Sequence, residues 1–499
     1  MFEYLLAKPK VYNTVMQMLK TFSEDEISVG GRLPTVRQLA EQFEVSVYTF
    51  HSAVNELKTA GFVKERGKNI NFLDSLPKPE ELIDLSGVNV SLLVRDYSDI
   101  SKLNSMLIRE QMIKQFKKNN PEISICEIQT SKKGSEFSIE QIKSLMRESV
   151  PTTNQITQTE LPIYHKFGLL APIDEKENSD FLSQFKPNYI EQCRIGEQLY
   201  LLPSSVTISC YTYNSKVFEE AGVDSEKCFL SLDNFRNALK KLTEYTKRPA
   251  LNFSFPMAMF LWLQQLSLIC GERKIDNKKQ LSPFNIDAEE NDKALEIFHQ
   301  IVFEDKTAVV LNADNAETMM DLYNDQIPII FDTGTMVSFL MGHQQTDNYS
   351  IAQLGGVGLA NLNGEFVNAK ASKCEQLAAI KLIKHAFDWR HKGQGASCLA
   401  VNNRFSKPWS IFKNPEEDDF LCNISNFPVR WQEKVKEIES NIVWEPLGNE
   451  WEKLEKGIKL QSLLDSGKFV SKDGLKFYLK SINFSSVSGD MLAEIMALG

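Results

Sequence analysis

The sequence predicts a multidomain chain, with a small α+β unit at the N-terminus and a much larger α/β unit after it. Three observations predict this. In the first 73 residues, helix-spaced apolar residues with two capping hydroxyls precede a basic hairpin. A polar stretch with two prolines, Asp74-Ser75-Leu76-Pro77-Lys78-Pro79-Glu80-Glu81, then breaks the pattern. Beyond it, strand-like and helix-like segments alternate, as in a largely parallel sheet flanked by helices. At about 150 residues per domain, the 499 residues amount to roughly three compact units. The expected division is residues 1–75, a linker over 76–87, and a second part over 88–499.

The N-terminal elements follow in order. Residues 11–19 carry Val11, Val15, Met16, Met18 and Leu19 at amphipathic spacing. Gly30, Gly31 and Pro34 interrupt, and Thr35 caps a short helix with Leu39, Ala40 and Phe43 on one side. Ser46 caps a third helix in which Phe50, Ala53, Val54 and Leu57 repeat, and Gly61 stops it. Phe62, Val63, Ile70 and Phe72 flank Arg66-Gly67-Lys68-Asn69, a hairpin and its tip. Three helices and a basic hairpin outline a winged helix, whose third helix enters the major groove of DNA. Ser46, Tyr48, Thr49 and His51 stand near that helix's start, within reach of base edges or phosphates. Lys64, Arg66 and Lys68 on the wing suit phosphates or a narrow minor groove. Residues 1–73 hold nine Lys/Arg and eight Asp/Glu, a net of 9 − 8 = +1, which supports DNA binding only weakly. A helical hairpin that merely dimerises is the competing reading.

This segment resembles the GntR family in Gly30, Leu33-Pro34-Thr35, Arg37, Leu39-Ala40, Val45-Ser46, Thr49, Ala53, Leu57, Gly61 and Phe62. The resemblance implies that Arg37, Thr49 and the wing touch an operator, and Thr35 joins them at the start of the helix carrying Arg37. The chain departs from the family where Val47 replaces a common Arg, His51-Ser52 replaces a basic pair, and Asn69 replaces the wing's second Gly.

Composition narrows the rest. The chain is 42% hydrophobic and 24% charged, ordinary for a globular protein. A net charge of −10 excludes general polyanion binding, so any nucleic-acid contact is local. The eight cysteines, Cys126, Cys193, Cys210, Cys228, Cys270, Cys374, Cys398 and Cys422, form no CxxC pair and read as reduced core residues. No metal site or cofactor is expected. The patch Tyr4–Ala7 has no h-region or cleavage site behind it. The apolar run around residues 257–263 is too short to span a bilayer. A cytoplasmic protein without membrane partners is expected.

In the large part, residues 88–94 and 123–128 read as strands and residues 99–118 and 139–146 as helices. Residues 232–246, 257–269, 292–303 and 375–389 also read as helices, and 327–331 as a strand. There is no P-loop, no GxGxxG after a strand and no GxSxG. Gly355-Gly356-Val357-Gly358 is the one glycine cluster, and a bend is its commoner meaning.

Several stretches resemble the solute-binding proteins of ABC importers, in particular the carbohydrate-binding group. They are Lys114 to Pro121, Tyr164 to Asp174, Gly196 to Pro203 (Gly-x-x-Tyr-x-x-Pro-like), Tyr211 to Gly222 (Tyr-Asn-x-x-x-Phe-x-x-Ala-Gly-like) and Leu232-Asp233-Asn234-Phe235. They span roughly residues 89–396, with a helical tail beyond. The resemblance implies a two-lobed α/β periplasmic-binding-protein-like (class II) domain that closes over a solute. Asp96, Tyr97, Gln158, Thr159, Ser204, Trp262, Asp332 and Thr333 lie near the expected cleft loops. Each has a plainer reading: Trp262 as core, Asp332 and Thr333 as a helix cap, Gln158 in a solvated loop. Trp389, Trp409, Trp431, Trp444 and Trp451 mark the tail, where core packing is the commoner role.

Together these imply a ligand-responsive, non-enzymatic regulator, a homodimer on a double-stranded operator, with a carbohydrate effector. Three alternatives stay open. One is a pyridoxal-phosphate enzyme-like domain behind the DNA reader, for which no convincing Ser-x-x-Lys set is present. Another is a LacI-type sensor, which is shorter than this stretch. The third is a binding protein with no DNA role.

Overall fold

The computed structural model describes Thr14, Met18, Lys413 and residues 32–43, 45–59, 63–65, 71–73, 88–95, 100–130, 151–271, 273–311, 326–332, 348–391, 429–468 and 470–481. The chain divides into two compact units, Met1–Val88 and Asn89–Gly499.

In the first unit, Thr14 and Met18 are helical, buried and one turn apart; the rest of the expected first helix lies outside the described residues. α1 (Val36–Gln42) opens with a reciprocal cap. Gln38 N–H donates to Thr35 Oγ1 at 3.3 Å, and Thr35 N–H donates to Gln38 Oε1 at 3.0 Å. α2 (Val47–Thr59) opens on Ser46, whose Oγ accepts from Thr49 N–H at 3.0 Å. Phe50, Ala53, Val54 and Leu57 stand at i, i+3, i+4 and i+7 and pack with Leu39, Ala40 and Met18. β1 (Val63–Glu65) and β2 (Asn71–Leu73) pair antiparallel, Val63 opposite Leu73. Lys58 Nζ meets Glu65 Oε2 at 2.6 Å, tying α2 to the hairpin. Helix, helix and hairpin complete a winged helix.

The second unit opens with β3 (Asn89–Arg95), α3 (Ile100–Asn119) and β4 (Ser124–Thr130), a parallel strand pair joined by a helix. β5 (Thr153–Thr157) follows and leads through a 3₁₀ turn, Gln158–Glu160, into α4 (Leu161–Lys166). β6 (Leu201–Ile208) passes through the single residue Ser209 into β7 (Cys210–Asn214). Then come α5 (Ser215–Glu220), α6 (Leu232–Thr246), β8 (Leu251–Phe253), α7 (Pro256–Ile269), α8 (Asp292–His299), β9 (Ala308–Val310), β10 (Ile329–Asp332) and β11 (Tyr349–Ala352). A 3₁₀ turn, Leu354–Gly356, carries the chain to β12 (Gly358–Val367), α9 (Lys373–His391), α10 (Val429–Ser440), β13 (Ile442–Trp444), α11 (Asn449–Asp465) and α12 (Lys472–Ser481). Gly355 and Gly356 both have positive φ, so the glycine cluster is a bend.

These strands make two lobes. In the first, β12 is central, antiparallel to β5 and β6 and parallel to β13. Thr152 N–H donates to Ser91 O at 2.8 Å and places β3 beside β5. In the second lobe the order is β9-β8-β10-β7-β11. Its core is rich in aromatic rings: Tyr211 lies 5.0 Å from Phe331, 5.3 Å from Phe235 and 5.5 Å from Phe229, centroid to centroid.

Two expectations need correction. The sheets are mixed rather than largely parallel. β8 is parallel to β9 and β10, as helix-linked crossovers require. β7, however, comes straight from the other lobe with no crossover, so it runs antiparallel to β10, and the returning β11 runs antiparallel to β7. The tail is not purely helical either. Ile442-Val443-Trp444 is a strand, too short to show a period but made of β-favouring residues, and it rejoins the first lobe's sheet. A smaller difference is that the helix expected over 292–303 is α-helical to His299 and continues as a π turn, Gln300–Glu304.

α11 crosses the start of α7 at Gly457. A Cβ there would stand 2.5 Å from Pro256 O and 2.8 Å from Met257 Cα, both backbone atoms that cannot swing aside. Gly457→Ala is therefore expected to push the two helices apart and cost roughly 1–3 kcal/mol. Urea denaturation of the full chain measures this, and an unchanged midpoint would contradict it.

Candidate functional site

The first unit exposes one side of α2. Val47, Tyr48, His51 and Asn55 point away from the Phe50–Leu57 core, and Arg32 and Arg37 are exposed before and on α1. Of the residues expected to meet DNA, Thr35, Arg37, Ser46, Tyr48, Thr49 and His51 are described. All lie on or just before α1 and α2. The hydroxyls of Thr35 and Ser46 cap those helices, and Thr49 Oγ1 lies 2.7 Å from Ser46 Oγ. Capping fixes where each helix begins, so these residues set the position of the exposed face as well as standing near it. Arg66 and Lys68 lie outside the described residues.

In the second unit the lobes are joined at a hinge built from two chain crossings. Ser209 N–H donates to Leu359 O at 2.8 Å, and Leu359 N–H donates to Ser209 Oγ at 2.9 Å. Gln353 Nε2 donates to Ser209 O. Gly358 is where the strands come closest: a Cβ there would stand 2.7 Å from Gln353 Nε2 and 2.8 Å from Ile208 Cγ2. Gln265 Nε2 donates to Val357 O at 2.7 Å, and its Oε1 accepts from Tyr211 Oη at 2.9 Å. Tyr211 Oη in turn accepts from Trp262 Nε1 at 2.7 Å. Burial holds the Tyr211 phenol well above its ordinary pKa, so it remains a hydrogen-bond donor.

Next to the hinge, the first lobe's sheet has one apolar and one polar face. Ile156, Val206, Leu362 and Phe366 are buried on the first, and Tyr164 of α4 stacks near Phe366 with centroids 5.5 Å apart. The other face carries Gln155 and Thr157 from β5, Ser205 and Thr207 from β6, and Asn361, Asn363 and Glu365 from β12. Registry pairs Asn363 with both Thr157 and Ser205, Asn361 with Thr207, and Glu365 with Gln155. The ladder shifts between Asn363 and Gly364, which leaves Ser204 as the extra residue of a bulge. Ser204 Oγ donates to Asn363 O at 3.0 Å and accepts from Gln155 Nε2 at 2.8 Å. Asn363 Nδ2 donates to Ser205 Oγ at 3.3 Å. The result is a partly open surface of amides, hydroxyls and one carboxylate, the groups that exchange hydrogen bonds with polyols.

The residues expected at the cleft fare differently. Ser204 joins this polar face. Trp262 is fully buried in the second lobe's core, wedged between Phe253 and Phe298 at 5.5 and 5.6 Å, and has no face open to a solute. Gln158, expected in a solvated stretch, is also fully buried: its Oε1 accepts from Leu362 N–H at 2.7 Å. Thr159 is buried beside it, and its carbonyl accepts from Gly448 N–H at 2.5 Å. Both residues therefore serve a joint between the first lobe and the segment leading into α11. Asp332, the buried last residue of β10, lies opposite Cys210 at the hinge. Asp96, Tyr97 and Thr333 lie outside the described residues. The polar face was missed apart from Ser204, although the alternation Asn361-Leu362-Asn363-Gly364-Glu365-Phe366 carries its signal in plain view.

A third connection joins the lobes. After β13, Glu445 N–H donates to Ala360 O at 2.9 Å, and α11 then packs on α7 of the second lobe. Buried at the joint, Glu445 Oε2 accepts from Lys453 Nζ at 2.8 Å and Asn449 Nδ2 at 3.0 Å. Asn449 Oδ1 accepts from Gln264 Nε2 of α7 at 2.6 Å. Trp444, next to Glu445, is buried and packs edge-on against Tyr189 at 5.3 Å, the core role expected for it.

The chain thus joins a helix-and-hairpin head to a hinged two-lobed unit. Residues 11–69 match the bacterial regulatory proteins of the gntR family. The head is thus a GntR helix-turn-helix domain. The remainder has the fold of carbohydrate-binding ABC solute-binding proteins. It is similar to an ABC substrate-binding protein from Listeria monocytogenes in complex with cycloalternan, at 16% identity and a TM-score of 0.58 over 81% of this chain and 99% of that one. It is similar to maltose-bound T. maritima MalE3, at 13% identity and a TM-score of 0.60 over 79% and 99%. It is also similar to the galacto-N-biose/lacto-N-biose I-binding protein of Bifidobacterium longum in complex with lacto-N-biose, at 15% identity and a TM-score of 0.57 over 82% and 98%. No curated protein matches the chain. That coverage is a larger share of the chain than residues 89–396 make up. A pyridoxal-phosphate enzyme-like domain does not fit this fold. Among the described residues, no helix is long and apolar enough to cross a membrane.

The buried pair makes a specific prediction. Glu445→Gln leaves the Lys453 ammonium buried without its counter-charge and is expected to cost about 3–5 kcal/mol. Lys453→Met strands the carboxylate and costs a similar amount. The double variant removes both charges and is expected to recover most of the loss. Chemical denaturation of the three variants checks this, and strictly additive losses would refute the pairing.

Proposed function

We propose that the protein is a ligand-responsive transcriptional regulator that binds an operator through its GntR head and senses a sugar or oligosaccharide in its two-lobed unit. The observation that carries this reading is the polar sheet face lying against the hinge. A polyol seated on Gln155, Ser204, Ser205, Thr207, Asn361, Asn363 and Glu365 sits where the two lobes meet, so its binding is linked to their opening and closing. The bound sugars of the similar structures support the ligand class. Asp96, Tyr97 and Thr333 follow strands that end near this region and complete the proposed site.

The unit binds rather than transforms its solute, and the protein acts in the cytoplasm, where DNA is available to it. It works as a homodimer, because one winged helix reads a half-site and two read a near-palindrome. The ligand changes operator affinity only by its differential affinity for the two states, and coupling of about 1–3 kcal/mol suffices.

Two measurements test this. In a thermal-shift screen of mono- and oligosaccharides, a cognate sugar at 100 times its Kd stabilises the full chain by about 2.7 kcal/mol. Asn363→Leu, which replaces an amide by an apolar group at the centre of the face, is expected to abolish that shift. Stabilisation only by non-carbohydrate metabolites refutes the sugar class. In an operator gel shift, Arg37→Ala and Thr49→Ala are expected to weaken binding, and wild-type affinity in both variants refutes the assigned DNA face.

A further inference from the structure

The exposed side of α2 opens with two large side chains that carry no charge. Tyr48 is 83% exposed and Val47 51% exposed, and neither belongs to the core of the head or packs against it. Tyr48, His51 and Asn55 stand at i, i+3 and i+7 and share one side of the helix, with Val47 one turn before His51. His51 Nδ1 accepts from Asn55 Nδ2 at 3.2 Å. Among the described residues of α2, the one cation is Lys58, and it is directed to Glu65. Arginine and lysine stand off this side: Arg32 and Arg37 are exposed before and on α1.

We propose that this helix reads thymine methyl groups through Val47 and Tyr48, so that the operator half-site presents A·T pairs where the helix enters the groove. The proposal rests on the DNA-binding reading above and adds its base preference. In the major groove, thymine alone offers a methyl group, and apolar side chains select it. Guanine is selected chiefly by a bidentate arginine or lysine, which this side of the helix lacks. The flanking arginines suit phosphates, which position the head without choosing sequence. Two exposed apolar side chains also carry a hydration cost in the free protein that contact with methyl groups relieves.

The test uses the full chain. Sites are selected from a randomised duplex library. The enriched half-site is then resynthesised with uracil replacing each thymine in turn, which removes one methyl and nothing else. Affinities are read by fluorescence anisotropy at one fixed salt concentration. At one or two thymines, uracil is expected to weaken binding about fourfold, the size of one buried methyl. Val47→Ala and Tyr48→Ala are expected to erase that sensitivity at their own positions. A selected site that tolerates uracil everywhere, or that is fixed as G·C where the helix enters, overturns the proposal while leaving the DNA-binding reading intact. No enrichment together with no binding to any duplex overturns both, and points to Tyr48 and Val47 as a protein contact.

Discussion

The two-lobed unit depends on the close approach of two strands at Ser209 and Leu359. Each crossing passes between lobes within a few residues, and the two are locked by a reciprocal pair of hydrogen bonds, one of them from the Ser209 side chain. A side chain at position 358 would press on Gln353 and Ile208, so glycine there keeps this spacing without displacing them. A joint of this kind is strong against separation and weak against rotation, because few residues need to change φ and ψ for the lobes to move. The polar face begins two residues away, at Thr207 and Asn361, so a solute on it lies close to the axis of that rotation.

The third connection limits that freedom. A buried carboxylate and ammonium, each with a desolvation penalty of several kcal/mol, give weak net stabilisation even when well paired. The pair has a clearer meaning as registry. Glu445 is anchored through its backbone to the first lobe's sheet, and its side chain fixes α11, which lies on α7 of the second lobe. A hydrophobic substitute would hold the same volume with less directional control. Trp262 fits the same logic. Its indole is the far end of a hydrogen-bond chain through Tyr211 and Gln265 to Val357 at the hinge, so the second lobe's core and the hinge are set in one geometry.

Much of this was legible in the sequence, and the failures have physical causes. The head was readable because its signals are local: Thr35 and Ser46 cap helices whose apolar spacing follows within one turn, and the structure shows both caps. The helix over residues 232–246 was likewise readable from its own amphipathic period. What failed was whatever depends on distant partners. Three residues at 442–444 become a strand only because β12 is there to pair with. Strand direction in the second lobe is set by a hinge crossing that no local pattern announces. The sequence leaves Trp262 open between cleft and core and puts Gln158 in a solvated stretch, because their burial is decided by Phe253, Phe298 and Leu362, partners no local pattern names. The polar face is the instructive case, because its period-two alternation over Asn361 to Phe366 is local and legible, yet only its pairing with β5 and β6 gathers the polar side chains into one surface.

The charge of the head explains why modest coupling is enough. Residues 1–73 carry a net charge of only +1 on a chain of −10. Electrostatic attraction to phosphates supplies most non-specific affinity and scales with the number of cations engaged. In the reading proposed above, a head of such low net charge starts from weak non-specific binding and gains its operator affinity from shape, from methyl contacts and from pairing two half-sites. Each of these is sensitive to how two heads are held. In that reading, a ligand coupled to DNA binding by about 1–3 kcal/mol changes operator affinity roughly five- to 150-fold without touching the DNA.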